Sequence, residues 1–239
     1  MGPFLFELLF SFAAIMKINI PGLIVAITAS ALLFSCAPSR LVRPLSKGQN
    51  VINAELGGPL IEYSSLTIPT PLSSIMYARG ITDNTSAFGS VHTTSLLFGN
   101  IQTDIGVCQK IYYNDSLRLG ISVNPALNMV CSIWDGSFKC WPEADLNFYW
   151  EIKPHKSFVY IGMENWFELS QTRAEDQPQT THWIFCPQVG YTYSRTKWDY
   201  NIELKWIAPN IPNLPNVVSY IGISGNGALG VYLGVTRKF

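Results

Sequence analysis

The chain has 239 residues, 16 basic and 16 acidic side chains, and a formal net charge of zero. Charged residues make up 13% of it, against about 25% in an ordinary soluble domain, while 48% is hydrophobic. A neutral chain without a basic stripe or a recognition motif excludes nucleic acid as a partner, and the length suits one large β domain or two small ones.

The first element is a leader. From Met16, "MKINIPGLIVAITASALLFSC" places one cation, Lys17, before an apolar run from Ile18 to Phe34 and then Ser35-Cys36. A short apolar core behind a cationic start reads as a secretory signal, too short for a membrane span. The preceding "MGPFLFELLFSFAAI" lacks a cation and carries Glu7, which makes Met16 a second candidate start. Leu33, Phe34, Ser35 and Cys36 resemble the lipobox of bacterial lipoproteins, where a small residue precedes a cysteine that becomes lipidated. That resemblance implies a signal at 1–35 and a lipid, palmitate-type, on Cys36; the alternative is an ordinary signal with an incidental cysteine. Residues 36–53, including "APSRLVRPLSKGQN", then read as a lipidated tether.

From 54 to 239 strand-like runs repeat without a helical period. The expected strands, about ten, are Ala54–Ile61, Ser73–Ile81, Ala87–Ser95, Asn100–Cys108, Leu117–Ile133, Phe138–Ile152, Ser157–Leu169, His182–Ser194, Trp198–Ala208 and Ala228–Phe239. The central pair is joined by "CSIWDGSFKC". Asp135-Gly136 suits a two-residue type I′ turn, which would set Cys131 opposite Cys140, Val123 opposite Phe148 and Gly120 opposite Glu151. In an oxidising compartment those two cysteines would form a disulfide; the alternative is two free thiols on an apolar face. A Pro154-His155 turn would pair Trp150 with Val159, and an Arg195-Thr196 turn would pair Tyr193 with Trp198.

Short connections such as "TDNT", "YNDS", "KPHK" and "SRTK" alternate with longer ones, including Gln171–Thr181 and Asn210–Gly227. That alternation describes an antiparallel up-and-down transmembrane β-barrel of the outer membrane, with short turns in the periplasm and long loops outside. An even strand count would return both termini to the periplasmic side, where a lipid on Cys36 could enter the inner leaflet. Bulky aromatics on the apolar face, clustered toward the strand ends, argue that this face meets lipid. The polar face, with its glycines, then lines a crowded lumen holding Asp104, Arg118, Asp145, Glu151, Glu164, Glu203 and Lys205.

The final "ALGVYLGVTRKF" resembles the terminal strand of bacterial outer-membrane barrels, with Val231, Leu233 and Val235 alternating up to Phe239. With the lipobox, the chain resembles uncharacterised outer-membrane barrel lipoproteins of the Bacteroidota, which implies location and architecture but no activity. Chemistry-bearing motifs are thin. Ser90 or Ser122 with His92 and Asp104 lacks a nucleophile motif, no metal-ligand spacing is present, and no cofactor is expected. The favoured reading is a non-enzymatic barrel, embedded in outer-membrane lipid, that meets a protein partner through its loops. Its rivals are a narrow channel for small cations or polar solutes, drawn from the acidic lumen, and a surface hydrolase using His182 with Glu168, Glu175 and Asp176.

Overall fold

The computed structural model describes residues 40–63, 65–152, 157–172, 178–213 and 218–239. The expected signal, Cys36, the Pro154-His155 turn, Glu175 and Asp176 lie outside them. The strands are β1 (Asn50–Tyr63), β2 (Leu66–Pro69), β3 (Leu72–Gly80), β4 (Thr85–His92), β5 (Asn100–Asn114), β6 (Leu119–Ser132), β7 (Phe138–Glu151), β8 (Phe158–Phe167), β9 (Trp183–Ser194), β10 (Trp198–Pro212) and β11 (Asn226–Lys238), with one short helix, α1 (Thr93–Leu97). Ten of them form a closed antiparallel ring, because β11 pairs back onto β1 from Val51↔Lys238 to Pro59↔Gly230. β2 stands outside the ring and pairs with the last four residues of β1.

Strand parity divides the wall into two surfaces. On β7, Glu143, Asp145, Asn147, Tyr149 and Glu151 are buried, while the alternate residues face outward. Outside, Ile52, Leu56, Ile75, Ile105, Leu127, Ile161, Val189, Leu204 and Leu233 are each between 41% and 54% exposed. So much contiguous apolar surface is a liability in water and a fit to hydrocarbon. Exposed aromatic rings mark its two edges, with Tyr77, Trp150, Tyr193, Trp198 and Phe239 toward the short-turn end and Phe138, Phe167 and Trp183 toward the loop end.

The inward glycines make room for rings. Gly120 lies opposite Tyr149 and Gly190 opposite Tyr160, and a Cβ at either glycine would come within 2.0 or 2.3 Å of the tyrosine ring. Both rings are almost fully buried, so neither has solvent to retreat into.

Elsewhere the chain departs from strict alternation for visible reasons. β5 runs on to Asn114, beyond the expected end at Cys108, because a bulge between Lys110 and Tyr112 sets Ile111 and Tyr112 both outward. The extra residue turns Tyr113 into the lumen, where its hydroxyl donates to Glu151 at 3.0 Å. β10 likewise extends past Ala208 through a register shift. β4 stops at His92, short of the expected Ser95. The hydroxyls of Thr93 and Thr94 bond Ser73 on the neighbouring strand, and the chain turns into α1.

The central hairpin is slipped by two residues from the expected register. Cys131 lies opposite Phe138 and Cys140 opposite Met129, with Val123 facing Leu146 and Gly120 facing Tyr149. The anticipated Cys131–Cys140 bridge is therefore not formed, and both are free thiols, as are Cys108 and Cys186. The cause is the loop, which uses four residues, Ile133 to Gly136, instead of a two-residue turn. The Ile133 N–H bonds the Gly99 carbonyl at 2.9 Å, and the Trp134 indole donates to the Phe98 carbonyl at 3.3 Å. Gly136 closes the loop at φ +69°, and Asp135 accepts the Ser137 N–H at 3.0 Å, which holds its carboxyl below the usual range. The β9–β10 turn is slipped the same way, with Tyr193 opposite Tyr200, whereas Trp150 opposite Val159 is as expected. A two-residue slip leaves every side chain on its own face, so the division into wall and lumen is untouched.

Gly190→Leu should force Tyr160 out of its place and destabilise the barrel by about 1–3 kcal/mol. The loss is to be read as a lower urea midpoint for the folded, fast-migrating form in gel electrophoresis; an unchanged midpoint would mean that the ring does not depend on the glycine.

Candidate functional site

The strands bury seven acids, Glu55, Asp104, Glu143, Asp145, Glu151, Glu164 and Glu203, against one strand-borne cation, Lys205. Buried carboxylates persist in low dielectric only when paired or hydrogen-bonded. Part of the missing charge comes from the segment ahead of β1.

That segment enters the lumen at the short-turn end. At the rim the Lys47 N–H bonds Asp83 at 2.9 Å, the Gly48 N–H bonds the Gly80 carbonyl at 2.8 Å, and the Gly80 N–H returns to Gln49 at 2.9 Å. Further in, the Leu45 N–H bonds the Ser86 hydroxyl at 2.8 Å, and Arg43 reaches Glu151 at 2.7 Å while lying over the Phe158 ring. Ser122 donates to the Val42 carbonyl, and Asn124 to the Leu41 carbonyl at 2.6 Å. The chain thus climbs β6 as it runs back toward Arg40.

Arg40 occupies the centre. Its guanidinium bonds Glu143 through one terminal nitrogen and Asp145, at 3.2 Å, through the other, with Asp104 at 3.6 Å and Glu164 at 3.9 Å. None of these five side chains is more than 5% exposed. The planar fork suits this role, since it presents donors to two carboxylates at once.

The other expected lumen residues extend the network. Lys205 bonds Glu164 at 2.8 Å and Glu203 at 3.3 Å, and the Tyr160 hydroxyl donates to Glu203 at 2.5 Å. Asp104 is a hub that accepts the Ser90 hydroxyl and holds His92 Nε2, each at 2.8 Å, as well as the Asn128 amide. Both Ser90 and His92 therefore contact the same carboxylate oxygen, which is not the serine-to-histidine relay that a nucleophile needs. Arg118 is not in the lumen: it sits exposed in a turn at φ +52° and donates to the Ile152 carbonyl at 3.1 Å. Arg40 takes the part expected of it.

Of the hydrolase grouping, the described His182 and Glu168 make contacts with neighbouring structure. His182 Nδ1 lies 2.9 Å from the Glu168 main-chain carbonyl, while the Glu168 carboxylate accepts the Trp141 indole and the Ser170 N–H, each at 2.7 Å. Among the described residues no group of three or more histidine, cysteine or acidic side chains is arranged to hold a metal ion.

Arg40 and Arg43 are the site residues that sequence reasoning missed. The available signal was stoichiometric: a lumen with an excess of acid, next to a segment carrying two arginines three residues apart.

No protein-family model matches the chain, and no curated protein does. Solved structures that it is similar to include an outer membrane channel from Pseudomonas putida F1, at 8% identity and TM-score 0.49, covering 85% of this chain and 100% of that one. Another is the translocator domain of the autotransporter NalP from Neisseria meningitidis, at 10% identity and TM-score 0.44, covering 92% and 95%. The outer membrane protein OprG from Pseudomonas aeruginosa is similar at 9% identity and TM-score 0.31, covering 83% and 99%. Likenesses at this level say nothing of what the barrel does.

Lys205→Met should remove the ammonium shared by Glu164 and Glu203, leave their buried charge less compensated, and cost about 3–5 kcal/mol of stability. The Lys205→Met/Glu203→Gln pair should recover part of the loss in urea midpoint. A single variant as stable as the parent would show that the remaining contacts, Tyr160 on Glu203 and Arg40 near Glu164, suffice.

Proposed function

We propose that this is an outer-membrane β-barrel lipoprotein, closed to solute by its own N-terminal segment, that acts as a non-enzymatic interaction component through its loop end. One observation carries the closed reading: Arg40 is buried inside the ring among Asp104 of β5, Glu143 and Asp145 of β7 and Glu164 of β8. The outward apolar band with its aromatic edges on a closed antiparallel ring supports a lipid setting of the outer-membrane kind. The alternation of short turns and long loops supports the short turns facing the periplasm. At the loop end Leu97 and Trp134 are 83% and 81% exposed, which suits contact with a partner better than bare solvation. Between β8 and β9 and between β10 and β11, the described residues 168–172, 178–182, 213 and 218–225 add surface outside the named strands.

The rival reading, a narrow cation channel, draws on the same acidic excess. In planar bilayers the purified protein should show no steady current. A cation-selective current lost in Asp145→Asn would replace the closed scaffold with a channel. Mild-detergent capture from native membranes should bring down a stoichiometric protein with the barrel, and capture that repeatedly returns the barrel alone would count against the interaction role.

The lipid anchor is part of this proposal, on the strength of the residues Leu33 to Cys36. Cys36 precedes the buried Arg40 by four residues, a reach of at most about 14 Å, so anchor and plug share one short stretch of chain. Cys36→Ala should abolish labelling by a clickable palmitate; undiminished labelling would remove the anchor from this site.

A further inference from the structure

Arg40 is held as a ligand is held. The wall closes without its segment, since each of the ten ring strands has both neighbours in the sheet. From Arg40 to Leu45 the segment's hydrogen bonds to the wall are side-chain contacts, through Ser122, Asn124, Ser86 and the ion pairs of the two arginines. Ladder-like main-chain bonding begins only at the rim, between Gly48, Gln49 and Gly80.

The receptor is more than a cluster of acids. The fit is not saturated: Glu143 Oε1, Asn124 Oδ1 and Arg40 Nε itself are each buried without a hydrogen-bond partner. The side chain of Glu143 is wholly shielded from solvent. Were Arg40 to leave, Asp104 would keep Ser90, His92 and Asn128, and Glu164 would keep Lys205, but Glu143 would lose the only cation that contacts it among the described residues. Burial then leaves two outcomes, a proton or another cation. Two carboxylates placed to take separate nitrogens of one planar group favour a guanidinium over a compact ammonium.

We propose that the pocket formed by Glu143, Asp145, Asp104 and Asn124 is a guanidinium-binding site, with Arg40 as its internal occupant, open to a guanidinium cation in trans when the N-terminal segment withdraws. This rests on the closed-barrel reading and names what closes it.

The test uses the full chain with Arg40→Ala, and guanidinium as the probe. Millimolar guanidinium should raise the urea midpoint of Arg40→Ala, while ammonium at equal ionic strength should not. The wild type, with its site filled, should not respond. Adding Glu143→Gln should weaken the apparent guanidinium affinity of Arg40→Ala by about tenfold or more. If Arg40→Ala does not fold unaided, guanidinium present during refolding should restore the folded, fast-migrating form. Equal responses to guanidinium and ammonium, no response by either assay, or an effect unchanged by Glu143→Gln would each overturn the proposal. A steady wild-type current would sink the closed-barrel reading, whereas a silent wild type with a guanidinium-insensitive Arg40→Ala would sink this inference alone.

Discussion

A ten-strand wall encloses a space too narrow to be left as open water and too polar on its inner face to pack like an oily core, and everything inside the barrel answers to that constraint. Rings fill part of it. Tyr149 and Tyr160 lie over Gly120 and Gly190, so the wall gives up a side chain at one position to admit a large one at the next strand. Amides fill more, with Gln188 on Asn147 and Gln102 on Asn128. What remains is charge, and charge in a confined space must be matched atom by atom.

The wall does not match it alone. Seven buried acids against Lys205 make the strand-borne lumen strongly acidic, and Arg40 and Arg43 supply part of the compensating charge. Energetically this division matters. A buried ion-pair network contributes little net stability over an apolar filling of the same volume, but removing one member is costly, because the partners are left charged and dry. The network therefore fixes where the N-terminal segment sits more than it holds the barrel together. Closure of the wall rests on the strand ladder and on the apolar band outside, neither of which contains a residue from 40 to 49.

The parts of this arrangement that follow a period of two were legible in the sequence, and the parts that follow from loop geometry or long-range stoichiometry were not. Alternation sorted Asp104, Asp145, Glu151, Glu164, Glu203 and Lys205 onto the inner face, and they are there. The same alternation is blind to slips of two, which is why the expected hairpins of β6–β7 and β9–β10 kept their faces while missing their partners. Asp135-Gly136 is a fair signal for a tight turn, but Ile133 and Trp134 are recruited by Gly99 and Phe98 across the loop end, and no local pattern shows that contact. The bulge at Ile111 is a similar case: "KIYY" reads as the loss of a strand, although it is a strand that turns one aromatic inward. Arg40 was the hardest to see. Its segment has the Pro, Ser and basic composition of a tether and no period at all, and its place is dictated by carboxylates about a hundred residues away.

That long separation has a physical meaning of its own. The acids belong to strands locked in a closed ladder and cannot move apart, whereas the main cation belongs to a segment joined to the wall through side chains above a short rim of main-chain bonds. One half of the network is carried by the ladder and the other by a segment outside it. If the lumen's charge had been balanced within the strands, the barrel would be closed by construction and the segment would be dispensable filling. Because part of that charge is balanced from outside the wall, the net charge of the lumen depends on the position of the N-terminal segment, and a change in one is a change in the other.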